Sequence, residues 1–289
     1  MTPHVTPGDS SVVRFEDVSL HFGDTVALDH VSFEMHAGET FVLLGAAGSG
    51  KTQLLKVAVG LVQADSGKVS LFGQEITHLR EQDLFDIRVK VGILFQEGGL
   101  FDSLTIAENV AYPLTNPRIL QHAQSSPNGN GSTRSVEDRV RESLRFVELE
   151  ETLDKFPNEL SGGMRRRVGI ARAVVAAPAL LLYDSPTAGL DPITANTIIA
   201  LILKERDLRN TATIMVTHRY QDGHLMANFR YNPNSGKTER VERNGKDISQ
   251  VTTKFLVMNA GRLVFEGSES ELQASQDPYV RKFVREGGA

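Results

Sequence analysis

The chain has 289 residues, 40% apolar and 23% charged, a globular balance that suits about two domains at roughly 150 residues each. Acidic side chains outnumber basic ones, 36 to 31, and the net charge of −5 argues against a general nucleic-acid binder. There is no cysteine, which excludes a disulfide scaffold, a thiolate zinc site, an iron–sulfur cluster and a cysteine nucleophile.

After an N-terminal tail, Val12, Val13, Phe15, Val18 and Leu20 alternate with polar residues, as do Val26, Leu28, Val31, Phe33 and Met35. A period near two, with turns at Phe22-Gly23-Asp24 and Ala37-Gly38-Glu39, predicts an antiparallel sheet. Thr40 to Leu44 is a continuous apolar run, the pattern of a strand buried on both faces. A Gly-rich turn and a helical stretch over Gln53 to Leu61 follow, then a short strand over Lys68 to Phe72. Val91 to Phe95 reads as a second buried strand. Leu100 to Ala177 is mostly helical in pattern, interrupted at Asn116 to Ser135, whose Ser, Asn and Gly content predicts a flexible loop. Ala179 to Asp184 and Ala212 to Thr217 are further buried strands, with a helix over Ile193 to Asp207 between them. Arg219 to Thr253 is polar and turn-rich, with a hairpin expected around Tyr231 to Gly236. A second hairpin joins Phe255–Met258 to Arg262–Phe265, and the chain ends helically, with Pro278 in the first turn of its last helix. Buried strands alternating with helices predict an α/β fold with a parallel sheet covered on both faces. The long helical stretch reads as an inserted subdomain.

The longest apolar run, Ala173 to Tyr183, is broken by Pro178 and falls well short of the about 20 residues a spanning helix needs. The opening Met1-Thr2-Pro3-His4-Val5 lacks the basic and apolar regions of a signal peptide. A cytoplasmic location is therefore expected, with any membrane role reached through a partner.

Gly45-Ala46-Ala47-Gly48-Ser49-Gly50-Lys51-Thr52 fits the pattern G-x-x-x-x-G-K-[ST] between a buried strand and a helix. Its glycines let backbone N–H groups turn inward on phosphate oxygens, and the helix start adds a positive dipole end. Lys51 is placed to reach the β- and γ-phosphates, and Thr52 to offer a hydroxyl to Mg²⁺. Asp184 ends an apolar strand, where a carboxylate holds Mg²⁺ opposite such a loop; without that loop it reads as a plain turn residue or helix cap. Leu160-Ser161-Gly162-Gly163-Met164 opens a helix and offers a hydroxyl and glycine amides to an anion; alone, it reads as a cap.

These segments occur in one fixed order, together with Ala188-Gly189-Leu190-Asp191 and a histidine after the fourth buried strand. The chain thereby resembles the nucleotide-binding subunit of ATP-binding cassette (ABC) transporters over nearly its whole length, about Val12 to Phe283. The resemblance implies a P-loop, RecA-like α/β core with an antiparallel β subdomain and an inserted α-helical subdomain. It divides the chain into a tail (1–11), a cassette (12–267, with a helical subdomain at about 97–178 and a polar insertion at about 219–253) and a C-terminal helical tail (268–289). By the same resemblance Phe22 stacks on adenine, and Gly45, Gly48, Ser49, Gly50, Lys51 and Thr52 hold the triphosphate. Thr52, Gln96 and Asp184 serve Mg²⁺, and Gln96 also links to the permease. Ser161, Gly162 and Gly163 form the signature that binds ATP held by the other subunit. Asp191 communicates between sites, and His218 contacts the γ-phosphate. ATP and Mg²⁺ are the implied ligands, in a head-to-tail homodimer. The segments Phe95–Phe101, Asn109–Leu114, Leu160–Arg167 and Asp277–Phe283 are similar to the Mla/Mkl branch. That likeness implies lipid transport with an MlaE-type permease and an MCE-domain protein at the inner face of the membrane.

Two positions depart from the family. Ser185 stands where the family has the glutamate that polarises the attacking water, and a hydroxyl is no carboxylate base near neutral pH. The chain is then a slow ATPase or binding-only switch, or another group such as His218 positions the water, or the serine is a deliberate replacement that traps ATP. The segment between His218 and Phe255 is also longer than in a minimal cassette, as a solvated hairpin or as a docking surface. DNA-repair members of the family carry long coiled-coil or zinc insertions, and translation members carry two cassettes; this chain has neither feature.

Overall fold

The computed structural model describes residues 11–96, 98–125, 134–241 and 252–286. β1 (Ser11–Phe22) and β2 (Thr25–His36) open the fold, joined at Gly23, whose φ of +57° suits a glycine in a tight turn. β3 (Thr40–Gly45) runs into the Gly-rich loop and α1 (Lys51–Ala58), followed by β4 (Ser66–Leu71), β5 (Gln74–Glu75), α2 (Glu81–Arg88) and β6 (Val91–Leu94). A helical region holds α3 (Ile106–Ala111), α4 (Pro117–Ser125), α5 (Val136–Phe146) and α6 (Gly162–Val174). Then come β7 (Leu180–Asp184), α7 (Pro192–Arg209), β8 (Ala212–Val216) and α8 (Tyr220–Asn228). The chain ends with the hairpin β9 (Phe229–Asn232) and β10 (Lys237–Arg240), the pair β11 (Thr253–Asn259) and β12 (Arg262–Gly267), and α9 (Glu269–Ala274) and α10 (Pro278–Glu286).

The central sheet has the order β12-β11-β3-β8-β7-β6, parallel except for β12 at one edge. A second, antiparallel sheet has the order β2-β1-β4-β5 and meets the central one where Asp29 N donates to Gly261 O at 2.9 Å. Successive side chains of a strand point to opposite faces, and here both faces are buried. Val42 and Leu44 of β3, Leu181 and Tyr183 of β7 and Phe255 and Val257 of β11 enter the core shared with the helical region. Phe41 and Leu43, Leu180 and Leu182, and Leu256 and Met258 enter a second core, with α1 and the antiparallel sheet. The central sheet therefore divides two cores, which is why its interior strands β3, β7 and β8 read as unbroken apolar runs.

The helices start where capping chemistry allows. Thr105 and Glu108 form a reciprocal capping box on α3, Ser135 and Asp138 one on α5, and Asp191 caps α7 ahead of Pro192.

Three sequence expectations need correction. β6 is an edge strand whose residues alternate between half-buried and buried, so Val91 to Phe95 is not covered on both faces. Pro117–Ser125 is helical and not loop. Pro117 occupies the first turn, where its missing N–H costs nothing, and Ile119, Leu120 and Ala123 pack on the helical core. The rest of that predicted loop, 126–133, lies outside the described residues. Finally, Tyr220–Asn228 within the polar stretch is the helix α8. Its buried side includes Asp222 and Gly223 beside Tyr220 and Met226, which hides its amphipathic pattern.

The hairpin expected around Tyr231 to Gly236 is present, with Asn232 opposite Lys237. The fully buried Arg206 of α7 holds it in place by donating to Met226 O at 2.7 Å and Phe229 O at 3.0 Å. Residues 242–251 of the polar insertion, the tail residues 1–10 and Glu97 lie outside the described residues.

Candidate functional site

The carboxyl ends of β3, β6, β7 and β8 lie side by side, the edge at which open α/β sheets bind ligands. From β3 the loop 45–50 turns into α1. Gly50 has a φ of +102°, and a Cβ there would lie 2.2 Å from Ala27 O, so only glycine fits where the loop passes under β2. Lys51 Nζ donates to Gly45 O at 2.9 Å and Ala46 O at 2.7 Å, and lies 3.2 Å from Ser49 Oγ. Burial lowers the Lys51 ammonium below its ordinary pKa, and the nearby Asp184 carboxylate opposes that shift. Phe22 and Val26, at the β1–β2 turn, line a groove of about 260 Å³ with Gly48, Ser49, Lys51 and Thr52. Phe22 is half-exposed there, a ring face beside the phosphate loop.

The β7 end meets this loop. Thr52 Oγ1 donates to Asp184 Oδ2 at 2.8 Å. Ser185 Oγ donates to the other oxygen, Asp184 Oδ1, at 3.1 Å, so both carboxylate oxygens are engaged by hydroxyls. Ser185 has a φ of +50°, a left-handed conformation that few non-glycine residues adopt, and its N–H donates to Val216 O at 2.9 Å. Gln96 is exposed one residue beyond Phe95, at the end of the strand beside β7, where Leu94 pairs with Tyr183. His218 is exposed just beyond β8.

Ser161, Gly162 and Gly163 do not line the groove. Ser161 Oγ caps α6 by accepting from Met164 N at 3.3 Å. Gly163 packs on the start of α7, where a Cβ would lie 2.5 Å from Thr194 Cγ2. Asp191 accepts from the backbone N–H groups of Ile193 and Thr194, each at 3.0 Å, and from Thr194 Oγ1 at 2.5 Å. The Thr194 hydroxyl, then its backbone N–H, hold the Asp191 carboxyl below its ordinary pKa. The signature and the Asp191 loop thus form one surface, separate from the phosphate loop of the same chain.

Residues 28–188, more than half of the chain, match the family model for the ABC transporter. The chain belongs to the ABC transporter family. It is 34% identical over 94% of its length to the sulfate/thiosulfate import ATP-binding protein CysA 2 of Shewanella oneidensis, covering 66% of that protein. It is 32% identical over 94% of its length to the probable ribonucleotide transport ATP-binding protein mkl of Mycobacterium leprae, covering 68% of it. The chain spans 55–66% of the length of several other curated relatives it matches. Among solved structures it resembles the dimeric, post-hydrolysis ATP-binding cassette MJ0796 bound to ADP and Pi, with a TM-score of 0.68, 25% identity, and coverage of 89% of this chain and 98% of that one.

Three groups in this ABC cassette escaped the sequence reading. Asp222 of α8 is buried, and its Oδ2 accepts from Thr187 Oγ1 at 2.5 Å and Thr217 Oγ1 at 2.7 Å. It ties the loop after Ser185 to the residue before His218, and Arg219 Nε lies 3.7 Å from its other oxygen. The signal was an aspartate four residues after the histidine, in the first turn of α8. Arg172 of α6 donates to Gly98 O and Gly99 O, both at 2.8 Å, fastening the loop after Gln96 to the signature helix. The third is Tyr279, whose hydroxyl reaches the phosphate loop. It lies in the segment Asp277–Phe283 already noted in the sequence, but nothing local there points to a contact with the phosphate loop.

Proposed function

We propose that this chain is the ATP-binding and ATP-hydrolysing motor subunit of an ABC transporter. The observation that carries this reading is the 2.8 Å bond from Thr52 Oγ1 to Asp184 Oδ2, made beside Lys51 and the first turn of α1. Two hard oxygen donors meet there, the ligand type Mg²⁺ takes when it also holds substrate phosphates. Glycine at position 50 lets the loop pass close under Ala27 of β2 on its way into α1, which keeps the amides at the helix start turned toward the groove.

In this reading Lys51 and the amides at the start of α1 bind the β- and γ-phosphates, and Phe22 stacks on the base. Gly45, Gly48, Ser49 and Gly50 shape the cradle. Thr52 and Asp184 hold Mg²⁺, with Gln96 facing its water shell. Mg²⁺ when bound supplies charge compensation for the phosphate oxygens. His218 orients the attacking water. Ser185 keeps Asp184 oriented through its hydrogen bond and offers no carboxylate for the proton. The surface of Ser161, Gly162, Gly163 and Asp191 serves a second copy, so that ATP is closed between two chains. Residues 12–267 form the cassette, with 1–11 and 268–289 as tails.

Exposure supports a membrane-facing side. Phe101 and Tyr112 are about half-exposed, with ring centroids 4.5 Å apart; Phe101 follows Gln96 by five residues and Tyr112 directly follows α3 of the helical region. We assign them to the dock of an integral permease, which places the chain at the inner face of the membrane. Among the described residues no helix is long and apolar enough to cross it. The names of the relatives cite sulfate or thiosulfate, methionine and ribonucleotide cargo. We favour lipid cargo, an MlaE-type permease and an MCE-domain protein because of the segments Phe95–Phe101, Asn109–Leu114, Leu160–Arg167 and Asp277–Phe283. Ser185 favours a second reading, a binding-only or very slow ATPase switch.

Co-purification tests the assignment. The chain expressed with its MlaE-type permease is expected in the membrane fraction, and Phe101→Asp is expected to release it while ATP binding persists. Persistent membrane association of Phe101→Asp places the dock elsewhere, and no association of the unaltered chain removes the motor reading.

A further inference from the structure

Parallel strands repeat their ladder every second residue. Between β3 and β11, Thr40 N donates to Thr252 O at 3.0 Å, and the register ends with Gly45 opposite Met258. The next rung belongs to Ala46 N and Met258 O. A side chain occupies it. Tyr279 Oη accepts from Ala46 N at 3.1 Å and donates to Met258 O at 3.0 Å. One hydroxyl, from a residue 233 positions further along, satisfies both backbone groups at the point where the phosphate loop leaves the sheet.

That insertion has a geometric effect. A direct rung holds its nitrogen and oxygen about 3 Å apart, whereas a hydroxyl between them spaces them by roughly 5 Å. The loop therefore splays away from β11 at its first residue. Close contact at Gly45, where a Cβ would lie 2.6 Å from Met258 O, leaves little other freedom. The hydroxyl is itself held firmly. Asp277 Oδ1 accepts from Tyr279 N at 2.7 Å and Val280 N at 3.1 Å, capping α10. Val280 and Phe283 of α10 are buried in the core shared with the central sheet, and the Tyr279 ring stands edge-on to Phe283 at 5.2 Å. A rigid ring on a docked helix fixes where its oxygen sits.

We propose that Tyr279 is a positioning residue for the phosphate loop, and that docking of α10 is thereby coupled to ATP affinity. The inference rests on reading that loop as the triphosphate site. Tyr279 sets the opening of the loop through the backbone of Ala46. Linkage makes the effect reciprocal: a phosphate-bearing ligand that tightens the loop also tightens α10.

The test uses the full chain and Tyr279→Phe, which keeps the ring and removes the hydroxyl. Isothermal titration with ATP·Mg²⁺ is expected to show affinity weakened about three- to ten-fold, the scale of one lost hydrogen-bonded bridge. Hydrogen exchange provides the readout that a purely structural role does not move. Amides of residues 280–284 are expected to exchange more slowly with saturating ATP·Mg²⁺ in the unaltered chain, and to lose that response in Tyr279→Phe. Equal ATP affinity in the two proteins overturns the proposal. So does an α10 exchange rate in the unaltered chain that ignores ATP, which decides the matter even where Tyr279→Phe folds poorly. An unaltered chain that binds no ATP removes instead the nucleotide reading on which the proposal stands.

Discussion

Replacing Ser185 with glutamate asks whether the group next to Asp184 limits hydrolysis. The backbone adds no new cost, since serine already holds a φ of +50° and glutamate carries the same Cβ. The ground state loses the 3.1 Å bond from Ser185 Oγ to Asp184 Oδ1, about 0.5–1.5 kcal/mol. It also gains a second carboxylate near Asp184. At roughly 5 Å and an effective dielectric near 20, that repulsion is about 3 kcal/mol, which Lys51 and bound Mg²⁺ offset. The nucleotide-free variant is therefore expected to melt lower than the parent, and ATP·Mg²⁺ to restore most of the difference. In the transition state the carboxylate accepts the proton that serine cannot, an effect of ~10²–10⁴-fold for a positioned general base. Phosphoryl transfer leans mainly on positioning and charge, so the parent is expected to retain weak turnover and the expected gain in kcat is about 10²-fold. Steady-state phosphate release, with the permease present, measures both forms. Unchanged kcat in Ser185→Glu beside a parent of ordinary rate shows that another residue fills the role. If neither form turns over, the binding-only reading replaces the motor.

Asp222→Asn weakens the charge-assisted bonds from Thr187 and Thr217 that join the loop after Ser185 to the residue before His218. At about 1.5–3 kcal/mol for such bonds, kcat is expected to fall on the order of ten-fold or more with little change in ATP affinity. Phosphate release and titration calorimetry check this, and an unchanged kcat contradicts the clamp. Glu205 of α7 is fully buried, and burial pushes its carboxyl from an ordinary 4.5 up to about 7, against the pull of Arg209 at 3.3 Å. The folded value lies above the unfolded one, so this contribution to stability is complete below about pH 4.5 and is lost as pH rises through about 7, amounting to ~3 kcal/mol at most. Thermal melts are expected to show Tm falling between pH 5 and 8, and a shallower fall in Glu205→Gln. Parallel slopes in the two proteins contradict that assignment.

What the sequence made legible divides along local and non-local lines. Thr40–Leu44, Ala179–Asp184 and Ala212–Thr217 announced the central sheet, because strands buried on both faces need unbroken apolar side chains. The phosphate loop was legible because glycine spacing encodes a backbone path within one short segment. α8 was not, since its buried side is built partly from Asp222 and Gly223, polar or small residues whose partners lie on other elements. α4 was masked by the Ser, Asn and Gly residues that follow it. β6 looked like an interior strand because an edge position depends on strand order, which no single segment encodes. Tyr279 and Arg172 act across 233 and 74 positions of chain, respectively, and only the folded arrangement brings them to the loops they hold.

The central claim is that the loop from Gly45 to Thr52 binds the triphosphate of ATP. Titration of the full chain and of Lys51→Ala with ATP·Mg²⁺ tests it most directly, with circular dichroism to confirm that both are folded. Among the described residues lining the groove, Lys51 supplies the one side-chain cation. Losing its charge-assisted bonds, about 1.5–3 kcal/mol, is expected to weaken binding by roughly ten- to a hundred-fold. Equal affinity in the two folded proteins contradicts the assignment of the loop and the function built on it.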